Sequence, residues 1–140
     1  MATKIRIICV LQGLQNKIIW LFIRYNDIFA AMKLAIIGSR TCPRVKIEDY
    51  LTAIPDTIVS GGAQGADTYA REFAKRHGLK MVEYFPDYQT YGRTAPLERN
   101  KLIVDNCDCV LAFWDGASRG TKFTLDYARE KCKPIKIVRI

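Results

Sequence analysis

"TIVSGGAQGADTYAREFAKRHG", residues 57–78, holds the turn on which the fold depends. "TIVSG" (57–61) is a short apolar run closed by glycine, and it reads as a strand. From Ala66 the pattern changes. Ala66, Tyr69, Ala70, Phe73 and Ala74 recur at helical spacing, and Gly78 sits where a helix-ending glycine belongs. The join, "VSGGAQGAD" (59–67), has three glycines, two alanines and one acid, with almost nothing that can pack. Such a β-to-α turn is either simply tight, or it is bare so that something can lie against its backbone.

The same alternation extends in both directions. "KLAIIG" (33–38) is a continuous apolar run ended by glycine, a strand buried on both faces. Pro43 opens a polar segment that reads as a helix through about Ile54. Downstream, "LKMVEYFP" (79–86) reads as a strand, "DYQTYGRTAP" (87–96) as a loop and "LERNKLIVDNC" (97–107) as a helix. "DCVLAFWDG" (108–116) is a fourth strand, "GTKFTLDYAREKC" (120–132) a helix and "KPIKIVRI" (133–140) the last strand. Strands alternating with helices predict an α/β fold: a Rossmann-like, three-layer open sheet of about five mainly parallel strands, with helices on both faces. Sheets of this kind bind ligands at the carboxyl ends of their strands, where the strand order reverses.

Function therefore turns on the residues just after each strand. After the first come Gly38, Ser39 and Arg40: close backbone approach, a hydroxyl and a planar cation. After the second come Ser60, Gly61 and Gly62, leading through Gly65 into a helix whose N-terminal N–H groups attract an anion. After the fourth, Trp114 and Asp115 lead to Ser118, Arg119, Gly120 and Thr121, again at a helix start. Each turn alone also fits an ordinary capped βα connection. Together they point to a phosphorylated ligand. Asp67, one turn into its helix, either accepts from a ribose hydroxyl or complements the helix dipole. Trp114 and the tyrosines of "DYQTYG" either stack a base or serve as core and lid aromatics. The dinucleotide pattern G-x-G-x-x-G and the P-loop ending G-K-[ST] are both absent.

Composition narrows the classes. One chain of 140 residues, 49% hydrophobic and 26% charged, suits a single globular domain. Lys and Arg number 22 against 14 Asp and Glu, giving +8, yet no run of five basic residues marks a dedicated nucleic-acid face. Residues 1–31 are apolar and basic, with Asp27 as their one acid, and they differ from the rest. Polar Gln12, Gln15, Asn16 and Lys17 break any signal-peptide core or membrane span. The stretch reads as an extension of undecided role, with the working domain at 32–140 starting cleanly at "MKLAIIGSR". Five cysteines without a C-x-x-C pair, and a single histidine, His77, give no zinc spacing. They suggest reduced thiols in a cytoplasmic protein, with Cys42 as a passive small residue near the ligand loops. No metal site is legible, although Mg²⁺ would accompany a phosphate ligand.

"IIGSR", "VSGGAQGAD", "ERNKLIV", "VLAFWDGASRGT" and "KPIKIV", in this order, resemble the SLOG superfamily. This Rossmann-like group includes the DNA-processing protein DprA and the LOG phosphoribohydrolases. The likeness is greatest to its small stand-alone branch, the YspA/YpsA-related domain of unknown function, and it covers about residues 32 to 140. It implies a nucleotide-derived ligand over the carboxyl edge of the sheet. The matching positions are Gly38, Ser39, Arg40, Ser60, Gly61, Gly62, Gly65, Asp67, Arg99, Asn100, Ser118, Gly120 and Thr121.

The resemblance implies three candidate activities. A binding domain, acting as a sensor or carrier, needs only the anion-ready loops. An N-glycosidase of the LOG kind needs a carboxylate where this chain has Thr124; Arg99 with Asp115 would then be the catalytic pair. Asp126 should face away from Thr124, because two residues turn a helix by about 200°. A DprA-like protein would grip single-stranded DNA through Arg40, Arg99 and Arg119 and stack a base on Trp114. Binding of a nucleotide is the favoured expectation, nucleic acid is not, and self-association is implied by analogy.

Overall fold

The structure, a computed structural model, describes residues 32–140. The expectations for residues 1–31 lie outside the described residues. Strand β1 (Lys33–Gly38) is central because every side chain from Leu34 to Ile37 is buried. Successive side chains of a strand point to opposite faces. Leu34 and Ile36 therefore enter one core with Ile58, Leu111, Phe113 and Phe73, while Ala35 and Ile37 enter a second with Val110, Ala112, Ile103 and Leu125. A continuous apolar run is what a strand with two covered faces requires.

Strand β1 pairs with β2 (Thr57–Ser60) on one side and β4 (Cys109–Trp114) on the other. Strands β3 (Lys80–Glu83) and β5 (Ile135–Arg139) form the edges. All pairings are parallel and the order is β3-β2-β1-β4-β5. The chain steps outward in one direction from β1 to β3, then returns to start again at β4. The reversal lies between β1 and β4.

Helix α1 (Ala66–His77) covers the first face through Ala66, Ala70, Phe73 and Ala74. It ends at Gly78 in the left-handed conformation (φ +63°), and the Leu79 N–H closes on the Ala74 carbonyl at 2.9 Å. Fully burying a side chain such as Phe73 contributes about 1.5–3 kcal/mol. Helices α3 (Ala95–Asp105) and α4 (Arg119–Glu130) cover the other face. Among the described residues no helix is long and apolar enough to cross a membrane.

Two segments correct the sequence reading. Residues 43–54 do not form a helix; only a single 3-10 turn, Ile47–Tyr50, appears there. Lys46 and Leu51 on either side are extended, so the turn cannot propagate. The apolar side chains of this segment still pack, with Ile47 buried and Val45, Tyr50 and Leu51 laid against the first core. Residues 87–94 depart in the opposite sense, forming helical turns where the sequence suggests a loop. A short helix α2 (Tyr88–Tyr91), capped by Asp87 accepting from the Thr90 N–H, runs through a 3-10 turn (Gly92–Thr94) into α3. Helix α3 therefore starts at Ala95, with Pro96 in its first turn.

Cys42, Cys107 and Cys109 are buried thiols outside any disulfide. Burial pushes Cys107 up to about 12, which suppresses its thiolate. Cys132 is disulfide-bonded, a correction to the expectation of reduced thiols throughout. It alone among the four described cysteines is not buried.

Glu48 ties the 3-10 turn to the end of α1, accepting from Arg76 Nη2 at 2.9 Å and meeting His77 Nε2 at 2.8 Å. Partial desolvation raises its pKa, but hydrogen bonds from its own N–H, His77 and Arg76 outweigh that and bring it to about 2. A depressed carboxylate pKa stabilises the fold above the unfolded value of 4.5, and that contribution is lost as pH falls toward about 2. Urea unfolding at a series of acid pH values should show stability declining across this window. Glu48→Gln should flatten the decline; an identical profile would show that the clamp adds nothing to stability.

Candidate functional site

A cleft of about 390 Å³ opens above the carboxyl ends of β1 and β4, at the point where the strand order reverses. Gly38, Ser39 and Arg40 form the wall after β1. Ser39 is buried, its N–H bonded to the Phe113 carbonyl at 2.9 Å, whereas Arg40 is exposed at the rim. Arg99 and Asn100 enter from α3, and Asp115, Ser118, Gly120 and Thr121 from the β4–α4 connection.

From the glycine-rich turn only Ala63 and Asp67 reach the cleft; Ser60, Gly61, Gly62 and Gly65 lie outside its lining as support. Their small size serves the chain itself. A Cβ on Gly65 would lie 2.8 Å from the Ser39 carbonyl oxygen, and its φ of +81° already excludes most side chains. Ser60 is fully buried and donates from Oγ to Asp67 Oδ1 at 2.8 Å. Asp67 Oδ2 accepts from the Ala63 N–H at 3.0 Å. Asp67 is thus the acid around which the turn is folded. Burial raises its pKa, against the opposing hydrogen bonds of Ser60 and Ala63 and the charge of Arg99.

Arg99 is half-buried and bonded through both Nε and Nη1. Its Nη1 donates to the Gly61 carbonyl and, at 3.2 Å, to the Tyr84 carbonyl; its Nε donates to Asn100 Oδ1 at 2.9 Å. One guanidinium therefore fastens the ends of β2 and β3 to α3. Burial lowers its pKa, partly offset by Asp67.

No family model, curated protein or solved structure matches this chain. The site must be read from its own geometry.

Asp115 closes the β4–α4 turn. Its Oδ1 accepts from the Ser118 and Ala117 N–H groups at 2.7 and 2.8 Å, and its Oδ2 accepts from Thr41 Oγ1 at 3.1 Å. Those bonds, led by Ser118 and Ala117, hold its pKa down at about 2. Ser118 caps α4 by accepting from the Thr121 N–H. The N–H groups of Arg119 and Gly120, in the first turn, have no intrahelical acceptor, and of the two residues only Gly120 lines the cleft.

Several expected residues do not line the cleft. Trp114 is half-buried, donates from Nε1 to the Ser118 carbonyl at 3.1 Å, and carries the Arg139 guanidinium over its ring at 5.8 Å. It braces the turn. Arg119 lies outside the lining, and Tyr91 lines a separate recess of about 190 Å³ with Phe85, Leu102 and Tyr127. Thr124 does line the cleft, but its hydroxyl donates to the Gly120 carbonyl at 2.9 Å. Asp126 is bonded to Lys122 and Arg129 on the outer side of α4. Among the described residues no three His, Cys, Asp or Glu side chains come together as a metal site.

The sequence reading missed Thr41, Pro96 and Ile103 as lining residues. Pro96, Arg99, Asn100 and Ile103 are spaced by three, four and seven, one face of a helix, so Arg99 itself was the signal for its neighbours.

Proposed function

We propose that the chain is a SLOG-type domain that binds a nucleotide or nucleotide-derived ligand, as a sensor or carrier. The observation that carries this reading is the place of the cleft: it sits at the reversal of strand order, with the open start of α4 and Arg40 facing the same space. The apolar surfaces of Ile37, Pro96 and Ile103 give a base or sugar a floor, and the α4 N–H groups give a phosphate its donors. Binding is favoured over N-glycosidic hydrolysis because the Thr124 hydroxyl is turned back onto Gly120 and both Asp115 oxygens already accept hydrogen bonds, one from the turn and one from Thr41. A carboxylate at about 2 is a poor proton carrier at neutral pH.

The test is calorimetric titration with adenosine monophosphate, NAD and ADP-ribose, followed by chromatography of the mixture. Saturable binding with intact ligand recovered is the expected result. Arg40→Ala should weaken it by about tenfold or more, since a charge-assisted hydrogen bond is worth ~1.5–3 kcal/mol. Released base would turn the conclusion toward an enzyme. Absence of saturation up to about 1 mM, a binding energy of only ~4 kcal/mol, would overturn the reading.

A further inference from the structure

The described residues carry 18 basic and 13 acidic side chains, a net +5 that draws anions toward the molecule. The cleft does not share that excess. Its charged lining is Arg40, Arg99, Asp67 and Asp115, two positive and two negative. Arg99 is already committed to the Gly61 and Tyr84 carbonyls, and Asp67 lies close to it at the Gly61 turn. Arg40 and Asp115 are left at the opening.

Asp115 stands where a phosphate would be expected. The N–H groups of Ala117 and Ser118, just before α4, point at one of its oxygens, and the Thr41 hydroxyl points at the other. A cradle of such donors is able to bind an anion, whether from the chain's own Asp, as in an Asx turn, or from a ligand. Here the chain supplies the anion itself. A ligand phosphate can still reach the Gly120 N–H and Arg40, which line the cleft, but each further phosphate must come close to a fixed carboxylate.

We infer that Asp115 is a specificity-determining residue that makes the cleft discriminate by charge, taking nucleotide derivatives of low negative charge and rejecting polyphosphates. This inference rests on the nucleotide reading above. Favoured ligands are those whose phosphates are few or are esterified at both ends, so that ADP-ribose is accepted where ADP, with the same pyrophosphate but a free terminal phosphate, is disfavoured.

The experiment is titration of the full chain with ADP-ribose, AMP, ADP and ATP in EDTA, so that no divalent ion masks the phosphate charge. ADP-ribose and AMP should bind about tenfold or more tightly than ATP, given the strength of like-charge repulsion at short range. Asp115→Asn keeps an oxygen for the Ala117 and Ser118 N–H groups and removes the charge. It should reduce that preference by about tenfold. Thr41→Val, which removes a donor from the carboxylate and leaves its charge less compensated, should sharpen the preference and serves if the first variant misfolds. ATP binding as tightly as AMP, or a preference unaltered in both variants, overturns the inference while nucleotide binding stands. Failure of all four ligands to bind removes the underlying reading and the inference with it.

Discussion

Gly38→Ala is expected to destabilise the protein by about 2–3 kcal/mol, as overpacking of a closed core does. A Cβ at this position would lie 2.6 Å from the Ala66 Cβ and 2.7 Å from the Phe113 carbonyl oxygen. Neither can retreat. Ala66 is fully buried at the start of α1, and the Phe113 carbonyl is held by the Ser39 N–H. The change must push α1 off the sheet or break that bond. Gly120→Ala is the matched control. Nothing lies within 4 Å of its Cβ position, and it sits inside α4, so stability should rise by up to about 1 kcal/mol. Urea unfolding followed by circular dichroism separates the two. Equal midpoints for Gly38→Ala and wild type would show that β1 and α1 do not approach so closely.

The contrast explains what the sequence could and could not reveal. Strands β1 and β4 were legible because both faces of each are covered, so an unbroken apolar run was the only possible signature. The segment after Pro43 was not, because its polar residues suited an exposed helix while Val45 and Ile47 alternate and pack against the first core. At the site, position was legible and role was not. Residues after parallel strands must gather at one edge, so Ser39, Asp67 and Asp115 all line one cleft. But bareness in "SGGAQG" looks the same whether a ligand or the protein fills the space. Here Ser39, Arg40 and Arg99 fill it. Trp114 shows the same limit: an aromatic at a strand end suits a stacking surface, and only the third dimension shows Arg139 lying over its ring.

Gly61→Asp is expected to abolish nucleotide binding, an affinity loss of about a hundredfold or more (~3 kcal/mol). The sequence alone suggests that the new carboxylate would occupy a phosphate position. The structure supplies a different cause. A Cβ on Gly61 lies 2.6 Å from Arg99 Nη1 and 3.1 Å from Asp67 Oδ2. The side chain would displace the guanidinium that joins β2, β3 and α3, and would set a second carboxylate beside a buried one. The obstacle is the end of a flexible arginine, so the sheet survives while the cleft wall loses its shape. Gly61→Ala separates the two effects. It displaces Arg99 without adding charge, and should retain about a tenfold loss of affinity if the position of Arg99 matters by itself. Calorimetric titration beside thermal melts checks both. Full affinity in Gly61→Asp, with a native melting profile, would show that neither Arg99 nor this turn bears on the ligand.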